Sequence, residues 1–167
     1  MSRARLILVL AVLGVAVYTA AAGSPDPTPS AQSSSTSGRV TRVVDGDTIH
    51  VMVGGRDETV RYIGVDTPES VKPGTPVQCF AKRASAFNER LAAGEKVRLV
   101  RDAEERDRYG RLLAYVYAGP EFVNRELVAR GYARTLTIPP NVAHADEFAA
   151  LARRARQAGL GLWRACS

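Results

Sequence analysis

Cysteine and histidine are scarce in this 167-residue chain, with two of each. Cys79, Cys166, His50 and His144 are scattered along it without the close ligand spacing that a zinc site needs, which argues against a zinc centre. No internal repeat is present, and the length is too short for two typical domains, so one core is expected. A large surplus of either charge is also missing. The 23 basic and 17 acidic residues leave a formal net charge of +6, a modest excess that suits a polyanionic partner without identifying one.

Apolar and polar segments are unevenly distributed at the start of the chain. Arg3 and Arg5 precede an apolar run from Leu6 to Val17, and small residues follow up to Ala22 and Gly23. This pattern predicts a signal peptide over residues 1–22, cleaved near Ala22; the competing reading is an uncleaved membrane anchor. Cleavage would remove two arginines and no acids, leaving 21 − 17 = +4. Residues 23–38 are rich in Ser, Thr and Pro, with Ala31 as their sole apolar residue, and are expected to be a disordered linker ahead of a domain over 39–167. Two cysteines in an exported chain favour a Cys79–Cys166 disulfide, with two buried free thiols as the alternative.

Within the domain, β-branched runs at 39–44 and 48–53, the Gly54-Gly55 hairpin signal and the run 58–65 predict a three-strand meander. Residues 82–93 carry a helical apolar pattern that stops at Gly94, and 96–101 and 112–118 read as two further strands. Helices are predicted over 122–130, and from beyond Asn141 to Gly159. Five strands with a helix between the third and fourth match an α+β fold, an OB-type five-stranded Greek-key β-barrel carrying three α-helices.

Three clusters carry chemistry. Val44-Asp45-Gly46-Asp47-Thr48 opens the second strand. Arg61 stands five residues before Asp66-Thr67-Pro68-Glu69, where proline should stop the ladder and turn the carboxylates out of it. Asp107-Arg108-Tyr109-Gly110-Arg111 precedes the fifth strand. Acids of this kind can hold a hard cation and arginines can hold a phosphate, a combination that phosphodiester hydrolysis uses. An EF-hand is excluded because Ile49 and Val51 stand where further oxygen ligands would be required.

From Gly38 to Trp163, these motifs and their order resemble the thermonucleases of the staphylococcal nuclease family. The resemblance implies the OB fold and a secreted, Ca²⁺-dependent nuclease, acting as a monomer on DNA and RNA with little sequence specificity and leaving 3′-phosphate ends. It implies Asp47, Asp66 and the main-chain carbonyl of Thr67 as metal ligands, and Glu69 as the group that orients or deprotonates water. Arg61 and Arg111 become the catalytic cations. Guanidinium supplies always-charged bidentate donors that lysine does not reproduce. Arg108 and Tyr109 match phosphate-binding positions, although a lysine more often stands where Arg108 does. The tyrosines that line the family's nucleotide site are missing around 135–140, which weakens base stacking there. The alternative is a non-catalytic OB-fold module that binds nucleic acid.

Overall fold

The computed structural model describes residues 34–70, 74 and 76–166. The signal peptide and most of the linker expected upstream lie outside these residues. Strands β1 (Ser35–Val43), β2 (Thr48–Val53) and β3 (Arg56–Tyr62) form an antiparallel meander. The β2–β3 hairpin turns on Gly54 and Gly55, with φ of 56° and 82°, the left-handed pair that matches the twist of the flanking strands.

The third strand was expected to run unbroken to Val65. It stops at Tyr62, and β4 (Gly64–Asp66) leaves in a new direction because Ile63 donates its N–H to Ala114 O at 3.0 Å, outside the β2–β3 ladder. Gly64 makes the corner with φ 80°, and a Cβ there would lie 2.7 Å from the Phe148 ring, so glycine is required for both conformation and space. β4 ends at Asp66, directly before the Thr67-Pro68 stop.

Helix α1 (Ala81–Ala92) is followed by β5 (Lys96–Val100) and β6 (Leu112–Ala118). β5 pairs antiparallel with both β1 and β6, and β6 pairs in parallel with β3, closing a five-stranded barrel in the order β1-β2-β3-β6-β5. The short β7 (Glu121–Phe122) extends β6, and β8 (Arg134–Leu136) pairs with β4 in a separate two-stranded ladder. Helices α2 (Val123–Ala129) and α3 (Ala145–Gln157) complete the three that were expected, and a single turn, α4 (Leu162–Ala165), follows. None of the helices among the described residues is long and apolar enough to cross a membrane.

The expected linker over 23–38 needs correction at its end, since Ser35 to Gly38 are already strand, paired with Val100 to Val97 of β5. Their polar side chains remain largely in solvent while the backbone supplies the ladder, so composition alone hides the strand.

Alternate barrel positions face inward, where Ile49, Val51, Val60, Tyr62, Leu99 and Val116 pack with Leu127 of α2 and Phe148 of α3. Each such side chain contributes about 1.5 to 3 kcal/mol of burial. Two buried asparagines tie the helices to the barrel. Asn88 accepts from the Tyr62 hydroxyl at 2.8 Å and donates to Asp45 O at 2.8 Å. Asn124 accepts from Val116 N at 2.9 Å and donates to Ile63 O at 2.8 Å. A disulfide joins Cys79 to Cys166, with Cα atoms 5.8 Å apart, fastening the chain end beside the start of α1.

Candidate active site

The site is built where β2 begins, β4 ends and β6 begins. The turn before β2 closes through Val44 N to Thr48 O at 2.9 Å and Asp47 N to the Asp45 carboxylate at 3.1 Å. A Cβ on Gly46 would lie 2.6 to 2.7 Å from the Thr67 side chain, so glycine lets this turn press directly against the Thr67 loop. Asp47 is consequently buried, at 4% exposure. Thr67 donates to its Oδ2 through backbone N–H (2.7 Å) and hydroxyl (2.9 Å), and Arg61 Nη1 reaches Oδ1 at 2.8 Å.

Arg61 emerges from β3 between two acids. Besides Asp47 it meets Asp66 Oδ1 at 3.3 Å and donates to Val65 O at 3.0 Å. Its charge is therefore balanced by the same two aspartates that the sequence reading assigns to a cation. Asp45, Asp47, Thr48, Arg61, Asp66, Thr67, Glu69 and Arg111 together line one cavity of about 80 Å³. Glu69 is anchored through its backbone: its N–H donates to Gln78 Oε1 at 3.0 Å, and Gln78 N–H donates back to Glu69 O at 2.9 Å.

Arg111 is aimed by Asp107. This carboxylate takes Arg111 Nε and Nη2 on one oxygen, each at 2.7 Å, and the backbone N–H groups of Tyr109 and Arg111 on the other, at 2.9 and 3.0 Å. Burial alone would raise the Asp107 pKa, but these hydrogen bonds with the Arg111 charge outweigh it and hold the group below the usual carboxylate range. The aromatic ring of Tyr109, 68% exposed, lies under both neighbouring guanidiniums, with Arg108 at 4.8 Å and Arg111 at 5.5 Å from its centroid.

Arg61 and Arg111 also line a second, wider groove of about 470 Å³ with Arg108, Tyr109, Leu113, Leu136, Ile138 and Asn141. The two arginines thus stand on the boundary between an acidic cavity and an open, partly apolar trough. Leu136 and Ile138 occupy the stretch where no tyrosines were found and supply an apolar wall in place of aromatic stacking. The histidines line neither cavity: His50 bonds Asp57 at 2.8 Å and His144 bonds Glu147 at 2.8 Å.

Burial and the neighbouring Asp47 charge push Asp45 up to about 6, and the same two causes raise Asp66. A hard cation would relieve this crowding of carboxylates, and an all-oxygen donor set of carboxylates with the Thr67 carbonyl fits one. No set of three or more acidic, histidine or cysteine side chains able to hold a metal ion is assembled among the described residues, and Asp47 and Asp66 both contact Arg61.

Three features escaped the sequence reading. Asp107 and Gln78 hold the candidate residues Arg111 and Glu69, and Leu136 with Ile138 forms part of the groove wall. Asp107 had a legible signal, an aspartate at the first position of a turn that closes at Gly110 and able to accept from the N–H two residues on. Gln78 had none.

A closed OB barrel whose rim gathers acids and two arginines beside a trough defines a phosphodiesterase-type site. The profile of the staphylococcal nuclease homologue family matches residues 59–165. The chain belongs to the staphylococcal nuclease family. It is 45% identical over 125 residues to a thermonuclease of Staphylococcus hyicus, covering 75% of this chain and 74% of that one. To a thermonuclease of Staphylococcus intermedius it is 46% identical over 124 residues, 74% of each chain. An endonuclease of Bacillus subtilis is 41% identical over 124 residues, which are 73% of this chain and 59% of the relative.

Proposed function

We propose that the protein is an exported nuclease that hydrolyses phosphodiester bonds of DNA and RNA with little sequence specificity, requires Ca²⁺ and leaves 3′-phosphate ends. The observation that carries this reading is the shared lining: Arg61 and Arg111 face the acidic cavity with Asp47, Asp66 and Glu69 and the substrate-sized groove at once.

Asp47, Asp66 and the Thr67 carbonyl would hold the cation. When bound, Ca²⁺ supplies positive charge beside the scissile phosphate. Arg61 and Arg111 bind the phosphate oxygens and stabilise the negative charge that grows on them in the transition state. Glu69, held by its backbone to Gln78, orients or deprotonates the attacking water. Arg108 and Tyr109 receive a neighbouring phosphate and sugar at the groove mouth. The leader with Arg3 and Arg5 and the Cys79–Cys166 bridge support export to an oxidising compartment, where the chain acts as a monomer.

Incubating the purified protein with single-stranded DNA and RNA, in Ca²⁺ or in chelator, tests the reading. Cleavage in Ca²⁺ alone, with 3′-phosphate termini on the fragments, is expected. Binding without cleavage in Ca²⁺ would instead make the chain a non-catalytic module.

A further inference from the structure

Arg134 and Arg156 hold positions that the catalytic reading leaves unused. Arg134 opens β8 and is paired in the β4–β8 ladder with Asp66, at the acidic cavity. From there the chain leads into the groove, whose wall carries Leu136 and Ile138. The Arg134 guanidinium lies 5.7 Å from the centroid of the Trp163 ring, and that of Arg156, from α3, lies 5.6 Å from the same ring.

Both arginines are exposed, and neither makes an ion-pair contact among the described residues, although Arg134 lies near enough to Asp66 to favour its charged form. Arg61, Arg101, Arg106, Arg111, Arg125 and Arg130 all do. In the last turn of α3, Arg156 complements the helix dipole, as Arg154 does, but Arg134 lies on a strand and serves no helix end. Cation–π contact with Trp163 restrains both side chains and gathers two like charges on one ring. A ligand with regularly spaced negative charges would balance them.

We propose that Arg134 and Arg156, held on Trp163, form a second phosphate-binding subsite that grips the flanking part of a single-stranded nucleic acid. This rests on the nuclease reading, in which the scissile phosphate lies at Arg61 and Arg111. Guanidinium contacts to phosphate carry no base information, so the subsite adds affinity for long strands without sequence preference. It acts on KM for a polymer. A substrate of one nucleotide is too short to reach it.

The test is binding of a fluorescent 30-nucleotide oligo(dT) by anisotropy, in chelator so that nothing is cut, over a series of salt concentrations. Abolishing one phosphate contact should reduce the salt slope by about 0.7 for a single strand, so Arg134→Ala/Arg156→Ala should flatten it by about 1.4. Arg134→Lys/Arg156→Lys should keep most of the slope because the charges remain. The control Arg39→Ala/Arg98→Ala removes equal charge from β1 and β5 and should leave it unchanged. In parallel assays with Ca²⁺, the alanine pair should raise KM for the oligonucleotide while hydrolysis of a nucleoside 5′-(4-nitrophenyl phosphate) stays at the wild-type rate. An unaltered slope in the alanine pair, or an equal flattening in the control, overturns the proposal. If the wild type cuts neither substrate, the nuclease reading falls while the binding slope still decides the subsite.

Discussion

Replacing Cys79 and Cys166 with serine should lower stability substantially and leave the chemistry in place. The bridge spans 87 residues, a loop that begins at α1 and contains β5, β6, β8 and the later helices. Loop-closure entropy for that length is about 15 cal/mol/K, or roughly 4.6 kcal/mol at 25 °C. Unfolding entropy of about 2.1 cal/mol/K per residue, over the roughly 130 residues of the domain, converts this to a fall in Tm of roughly 17 °C. Cys79 is exposed and Cys166 partly so, which means that the serines open no cavity to add to the loss. The bridge contributes no atom to the acidic cavity or the groove. Calorimetry of wild type and double variant, with turnover measured at 15 °C, is the assay. A drop in Tm below about 4 °C would refute the entropic argument. A loss of turnover well below the unfolding midpoint would show instead that the bridge holds Glu69 in place through Gln78.

The other predictions concern the site. Arg61→Lys and Arg111→Lys should each lose about a hundredfold or more in kcat with the fold retained, since each removes a bidentate donor aimed at transition-state charge; near-normal turnover would make that arginine structural. Asp47→Ala or Asp66→Ala should weaken Ca²⁺ binding and turnover together, read by calorimetric titration and rate, and Ca²⁺ affinity equal to wild type would remove that residue from the ligand set. Gly64→Ala, with φ 80° and Phe148 at 2.7 Å from the new Cβ, should destabilise by about 2 to 4 kcal/mol, measured by urea unfolding. Asp107 has a lowered pKa in the folded chain, so its contribution is complete above the ordinary carboxylate range and is lost as pH falls through its folded value. The stability gap between wild type and Asp107→Asn should therefore be full at pH 7 and shrink below about pH 4 in paired denaturant titrations; a gap independent of pH would contradict the assignment.

Much of the barrel is legible because its signals are local. β-Branched runs mark the end of β1 and all of β2, Gly54-Gly55 sets a hairpin, and Pro68 ends β4. What was missed depends on distant partners. Ser35 to Gly38 become strand only because β5, some 60 residues later, offers its backbone. The β4–β8 ladder pairs Asp66 with Arg134, a register that no local pattern encodes. Asn88 and Asn124 look like ordinary polar helix residues until burial gives each of them backbone carbonyls to satisfy. At the site, the motifs gave the residue types and their order, while Arg61 resting on Asp47 and Asp66 is a balance of charges visible only in three dimensions.

The parallel β3–β6 pairing that closes the barrel puts Arg61 in register with Leu113, two residues beyond Arg111. The two guanidiniums therefore belong to opposite sides of one seam and come from chain regions 50 residues apart. A growing chain that stops short of residue 107 carries Asp47, Arg61 and Asp66 but has no second guanidinium, and a complete chain with an open seam has both in the wrong places. Under the proposed function, a site that draws its two guanidiniums from both sides of this seam is complete only where β3 and β6 are paired.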